Sequence, residues 1–353
     1  MTMPRGSAIP HVSDRLLVVA FVVFVTIALA AAVSVNTGAS LTASTSNLNN
    51  TFGTLTVQPP ASQNATTSGV GGAVNLSWTA TPTAPGAGHT LSYLVLRGPV
   101  GGPYTQVGST TSLTYSDTPP ADGTYQYVIE AQVSGGGSFT SGNSAAQSGV
   151  SDRLAPTTSI ACNGAACGAG WYTAAVSVTV SGTDTGSGMG SVTRNVDAGG
   201  QVSTAGSSVT FSVSGDSTGH TAQYFGTDAA GNTSTPATQM IKIDGTAPTA
   251  ATALVAAGGA NGSPVTVDLT WTAGTDATSG VSGYEVRWTN AGASPCPAQN
   301  TTNYPNSATV GAVTAYSISG LTNGSFYCAY LVTIDNAGNR SANSAVAGPT
   351  KAK

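Results

Sequence analysis

In the stretch VNLSW, Val74, Leu76 and Trp78 share one face of an extended segment, while Asn75 and Ser77 take the other. VSVTVSGTD repeats the pattern with Val176, Val178 and Val180 against Ser177 and Thr179. VTVDLTW repeats it again, with Val265, Val267, Leu269 and Trp271 opposed to Asp268 and Thr270. Successive side chains of a strand point to opposite faces, so period two with one wet face predicts strands of an antiparallel sandwich. YQYVIEAQV (125–133), GYEVRW (283–288) and FYCAYLVTI (326–334) carry the same rhythm. Clusters of Gly, Ser, Thr, Asn and Pro between the runs supply turns. Beyond residue 35 no segment sustains a helical period.

One run breaks the rhythm. From Leu16 to Val33 only Thr26 interrupts an apolar stretch, and Arg5 and Arg15 precede it. A basic leader, an apolar run and an Ala-rich exit predict either a cleaved secretion signal or an N-terminal membrane anchor. In both cases the chain after about residue 36 sits outside the cytoplasm, and membrane contact is expected only through this segment.

Two stretches punctuate the remainder, DRLAPTTS at 152–159 and DGTAPTAA at 244–251. Each reads Asp, two residues, Ala-Pro-Thr, and proline there favours an extended entry into a following strand. The expected organisation is a signal or anchor over 1–35, an exported segment over 36–54, and three domains over 55–151, 152–246 and 247–350. Each domain has the size of an Ig-like sandwich.

Composition narrows the function classes. Charged residues make up 7% of the 353 residues and the net charge is −4, with no basic block, so nucleic acid is not an expected partner. Four cysteines in the exported part fit an oxidising compartment. Of three connectivities, Cys162–Cys167 with Cys296–Cys328 keeps each bridge inside one domain and is the expected pairing. A zinc site is disfavoured, because the C-x4-C spacing has no histidine beside it.

The quoted runs resemble known families. LSYLVLRGPVGGPYTQVGSTTSLTYSDTPPADGTYQYVIEAQV (91–133), preceded by VNLSW, resembles a bacterial fibronectin type III domain. VDLTW, GYEVRW, GLTNGSFY and DNAGNRSANSAVAGPT follow one another in that family's order in the third segment. Leu321 and Tyr327 carry its leucine-to-tyrosine corner spacing, in which the phenol hydroxyl bonds nearby backbone. Tyr125 takes that role in the first segment, with Pro119 at the leucine position. The middle segment, with WYTAAVSVTVSGTDTGSGM, GHTAQYFGTDAAGN and IKIDGTAPT, resembles the bacterial Ig-like domains of surface proteins. NTFGTL (50–55), within ASLTASTSNLNNTFGTLTV, resembles the mature start of camelysin-type and biofilm-fibre proteins. The implied fold is all-β: three tandem Ig-like or fibronectin type III sandwiches after an N-terminal hydrophobic helix.

Catalytic hardware is sparse. Of the three histidines, His11 lies in the leader and His89 in a turn-rich loop. His220 stands eight residues before Asp228, as the corner Tyr327 stands eight before Asp335, so a structural corner is its expected place. Glu130 and Glu285 fall on outward strand faces, and Arg287 shares the face of Glu285, which predicts a surface pair. No acid, base and nucleophile converge in the sequence, and no cofactor is expected.

The repeated D-x-A-G-N stretches, TDAAGNTS (227–234) and TIDNAGNRS (333–341), admit two readings. Asp184, Asp228 and Asn232 offer oxygen ligands for calcium, echoed by Asp276, Asp335 and Asn339. As turns, Asp228 and Asp335 open a four-residue bend that Gly231 and Gly338 close in the left-handed conformation. The turn reading accounts for more of the residues. Trp78 and Trp271 are expected in the core, while Trp171 and Trp288 are not assigned. The implied function is a non-catalytic extracellular spacer or adhesion module facing a protein or a polysaccharide. Alternatives are a matrix- or carbohydrate-binding accessory protein, calcium-dependent or not, and a self-assembling fibre subunit.

Overall fold

The computed structural model describes residues 56–67, 71–135, 137–261, 264–293 and 295–353. The leader, the helix expected there and the NTFGTL motif lie outside the described residues. Among the described residues the α-helix is absent, and the regular elements are strands. The chain divides into two compact units, one ending at Arg153 and the other spanning Leu154–Lys353.

The first unit holds one sandwich. Strands Gln63–Thr67, Val74–Trp78 and Thr114–Asp117 form one sheet. The other runs Thr105–Thr110, Thr90–Gly98, Gly123–Ser134, Ser138–Thr140, with Gln147–Ser151 also paired to Gly123–Ser134. Val74, Leu76 and Trp78 are buried and Asn75 and Ser77 exposed, as alternation requires. They pack on Tyr93, Val95, Tyr127 and Ile129 from the opposite sheet. Burying one such aliphatic side chain contributes about 1.5–3 kcal/mol, which makes the register hard to slip.

The second unit holds two sandwiches in sequence. In the middle one, Thr157–Cys162, Val176–Thr183 and Ser208–Val213 face Met189–Val196, Gln201–Ala205, Ser217–Asp228 and Ala237–Ile243. Val176, Val178, Cys162, Ala222, Ile241 and Ile243 meet between them. In the last, Thr252–Gly258, Thr266–Thr272 and Ala315–Ser319 face Val281–Asn290, Asn306–Gly311, Phe326–Asp335, Arg340–Asn343 and Ala347–Lys351. Both expected disulfides are formed, Cys162–Cys167 and Cys296–Cys328.

Phe326–Asp335 departs from simple alternation, because it is buried on both faces. Tyr327, Ala329 and Leu331 enter the main core, while Cys328, Tyr330 and Val332 form a second cluster with Tyr304. The chain between Asn290 and Asn306 supplies that second layer. It is tied to the strand by Cys296–Cys328, and Gln299 Nε2 donates to the Ser344 carbonyl at 2.7 Å. The ring of Tyr304 meets Tyr330 edge-on at 4.8 Å. Glu285, expected in a surface pair, is correspondingly 8% exposed and lies between Arg287, at 2.5 Å, and Arg340. A carboxylate this deep is stable only with charge partners, and the second arginine comes from beyond the D-x-A-G-N turn.

Candidate functional site

Each D-x-A-G-N stretch closes the same loop. In the middle sandwich the Gly231 amide donates to the Asp228 carbonyl at 3.3 Å and the Asp228 amide to the Asn232 carbonyl at 3.0 Å. The Asp228 carboxylate accepts from the Asn232 amide at 2.8 Å and from its Nδ2 at 2.8 Å. In the last sandwich the corresponding carboxylate contacts, Asn339 amide and Nδ2 to Asp335, measure 2.8 and 2.9 Å. The φ of Gly231 is +94° and that of Gly338 +91°, the left-handed region that side chains disfavour. The loop therefore uses its aspartate, glycine and asparagine as a turn. Both aspartates are buried, and each asparagine aims its donor nitrogen at the carboxylate.

A second acid approaches each loop. Asp184 accepts from the amides of Gly186 and Gly188 at 3.0 and 2.7 Å, and its carboxylate comes within 4.8 Å of that of Asp228. Asp276 accepts from the amides of Thr278, Ser279 and Gly280 at 2.8–3.0 Å. Around Asp335 the set has three members, for Asp244, Asp276 and Asp335 bring carboxylate oxygens within 4.8 Å of one another. Asp244 opens the D-x-x-A-P-T linker and is fully buried. It accepts from the Thr246 amide at 3.1 Å and the Ser279 amide at 3.1 Å. Among the described residues, no lysine, arginine or histidine forms a salt bridge with any of the three. Three converging carboxylates offer oxygen ligands of the kind a hard cation takes, and calcium takes six to eight of them.

Sequence reasoning placed Asp276, Asp335 and Asn339 together but left Asp244 as punctuation. Its only signal was the recurrence of Asp at the head of both linkers. Asn339, expected as an oxygen ligand for calcium, instead turns its Nδ2 to the Asp335 carboxylate and also to the Asp244 carbonyl at 2.8 Å and the Thr246 carbonyl at 3.3 Å. In the first sandwich, the half-buried Arg97 and the buried Asp117 and Tyr127 form a trio that gave no sequence signal. Arg97 Nη1 and Tyr127 Oη both donate to Asp117 Oδ2, at 2.7 and 2.8 Å. Burial, then the bond to Asp117, pushes the Tyr127 phenol above its ordinary value.

Tyr327 Oη accepts from the Thr322 amide at 3.1 Å, Tyr125 Oη donates to the Ala121 carbonyl at 3.1 Å, and His220 Nε2 lies 2.9 Å from the Gly215 carbonyl. Trp78 and Trp271 are each 6% exposed and meet Tyr93 and Tyr284 edge-on. A shallow depression of about 630 Å³ on the first sandwich is lined by residues including Thr66, Asn75, Ser77, Thr114 and Ser116. Its described lining, which also includes Leu76 and Tyr115, carries hydroxyls and an amide and no carboxylate, imidazole or thiol.

Residues 256–348 match the fibronectin type III domain family. This covers most of the last sandwich, with the corner Tyr327 and the loop of Asp335. No curated protein matches the chain. Among solved structures, the chain is similar to titin domains A168-A170 at 13% identity and a TM-score of 0.39, covering 84% of this chain and 98% of that one. It is also similar to the chicken CNTN1 FN1-FN3 domains at 14% identity and a TM-score of 0.31, over 82% and 97% of the two chains. An Fn3-like protein from Clostridium thermocellum is 28% identical over 29% of this chain and 91% of its own, with a TM-score of 0.21.

Proposed function

We propose that the chain is a non-catalytic, exported modular protein whose sandwiches serve as spacer and adhesion modules toward an extracellular protein or polysaccharide. Fibronectin type III domains are typically modules of this kind, and the two disulfides suit an oxidising compartment. One observation carries the reading: the linker over 244–249 is hydrogen-bonded rather than free. The amides of Asp244, Gly245 and Thr249 donate to the Tyr172 carbonyl, the Asp216 carboxylate and the Thr275 carbonyl, each at 2.8 Å. The Thr246 amide caps Asp244, and Asn339 clamps the linker carbonyls from the other side. A spacer needs a joint of fixed geometry, whereas a free Gly/Ser-type linker would behave as a coil.

A second reading, calcium dependence, is favoured by the convergence of Asp244, Asp276 and Asp335 on that joint. A bound divalent cation would relieve their mutual repulsion and lock linker to loop, and Asp184 with Asp228 offers a similar start in the middle sandwich.

Limited proteolysis of the full chain, with and without calcium, tests both readings. The expected first cuts fall outside 244–249, and calcium slows cleavage in the loops holding Asp276 and Asp335. First cleavage inside 244–249 would contradict the fixed joint. Equal cleavage rates with and without calcium would contradict the second reading alone.

A further inference from the structure

His220 occupies the corner position of the middle sandwich, where the other two sandwiches use Tyr125 and Tyr327. All three side chains close a short loop by bonding backbone four or five residues upstream. The histidine differs in making two bonds. Its Nε2 faces the Gly215 carbonyl at 2.9 Å, and its Nδ1 faces Asp197 Oδ2 at 2.7 Å. A carbonyl and a carboxylate only accept, so satisfying both requires a proton on each ring nitrogen, that is, the imidazolium.

Asp197 is itself held in place. It lies at φ +49°, next to Ala198 at +58°, in the turn between Met189–Val196 and Gln201–Ala205. Its Oδ1 accepts from the Thr221 amide at 2.7 Å, and its own amide donates to the Thr221 carbonyl at 3.0 Å. The ring thus ties that turn and the approach to Ser217–Asp228 into one corner.

The other groups around the ring do not compete for its protons. Asp216, beside Gly215, turns its carboxylate to the Gly245 amide and the Thr246 hydroxyl. On the paired strand Ala237–Ile243, Ile241 lies opposite His220, and the neighbouring Lys242 sits over the Trp171 ring at 5.9 Å. The facing strands Val176–Thr183 and Ser208–Val213 contain no titratable residue.

We propose that this corner is a pH-released latch, closed by the His220 imidazolium between Asp197 and the Gly215 carbonyl and opened when the ring gives up a proton. The corner residue is an imidazole only in the middle sandwich, so the latch is confined to it.

The direction follows from the two partners. Burial pushes the His220 pKa down, but the Gly215 carbonyl and the Asp197 carboxylate outweigh it and raise it above the ordinary 6.5. The Thr221 amide, then His220, holds Asp197 below its ordinary 3.8. A raised histidine gives stability that is complete below 6.5 and lost as pH rises through the folded-state value. A depressed aspartate gives stability present above 3.8 and lost as pH falls through its lowered value. The latch is therefore closed in mild acid and opens on alkalinisation.

The test is NMR of the full chain, whose three histidines leave the His220 signals assignable by their loss in His220→Gln. Expected at pH 6 is a ring protonated at both nitrogens, titrating with a midpoint above 6.5 that Asp197→Asn lowers. The protection of the Thr221 amide, corrected for the intrinsic pH dependence of exchange, should fall as the ring titrates. In His220→Tyr it should stay flat. A bare ring nitrogen at pH 6, a midpoint at or below 6.5, or Thr221 protection indifferent to the titration would overturn the latch. The titration of the unaltered chain decides the matter even if His220→Tyr fails to fold.

Discussion

Replacing Trp271 by alanine is expected to destabilise the last sandwich by about 3 kcal/mol, the low end of the roughly 3–5 kcal/mol usual for a buried aromatic. The side chain is 6% exposed and packs with Val267, Leu269, Val286, Leu331 and the ring of Tyr284, at 5.2 Å and 70°. Its removal leaves a void between two sheets that cannot close without moving both. The low end follows from the indole nitrogen, which is buried without a hydrogen-bond partner among the described residues. An unsatisfied buried donor costs about 1–3 kcal/mol, and alanine removes that cost along with the ring. Trp271→Phe keeps most of the volume and discards the donor, so it should lose far less. Denaturant titration read from NMR signals of the last sandwich measures both, because one global midpoint is ill-defined for several domains. A loss below about 1 kcal/mol for Trp271→Ala would remove it from the core.

The second large effect is loss of Cys296–Cys328. The bridge spans a sequence separation of 32, for which loop-closure entropy gives about 3–4 kcal/mol. Cys162–Cys167, with a separation of 5, gives only about 2 kcal/mol by the same relation. The longer bridge also holds the segment that buries Tyr304 against Tyr330 and Val332. Converting Cys296 and Cys328 to serine should therefore destabilise the last sandwich more than the corresponding change at Cys162 and Cys167 destabilises the middle one. Unfolding of the two double variants, followed sandwich by sandwich, checks the order. Equal losses would mean that the 291–305 segment is held by its packing and hydrogen bonds rather than by its staple.

What the sequence made legible was set by local rules. Val74, Leu76 and Trp78 announced their face because period two needs no tertiary knowledge, and the same holds for Val176 to Val180. The D-x-A-G-N loops were readable as turns, since an Asp and a left-handed Gly act within four residues, whereas the role of the following Asn was not. The eight-residue spacing also gave His220 its corner.

What was hidden depends on chain segments far apart. Alternation put Tyr330 and Val332 on a wet face, but a segment some thirty residues upstream covers them. Glu285 looked exposed because its second partner, Arg340, arrives only after the last hairpin turn. The recurrence of Asp at the linker heads did not reveal that Asp244 meets Asp276 and Asp335, and nothing in the Gly-rich turn around Asp197 pointed at an imidazole.

The linker between the middle and last sandwiches is a bonded joint, and amide hydrogen exchange across 244–249 tests it most directly. In the full chain the amides of Asp244, Gly245, Thr246 and Thr249 should exchange far more slowly than unstructured peptide, and Asn339→Ala should speed Gly245 and Thr246 first. Exchange of all four at the rate of an unstructured peptide would show a free hinge and contradict the account.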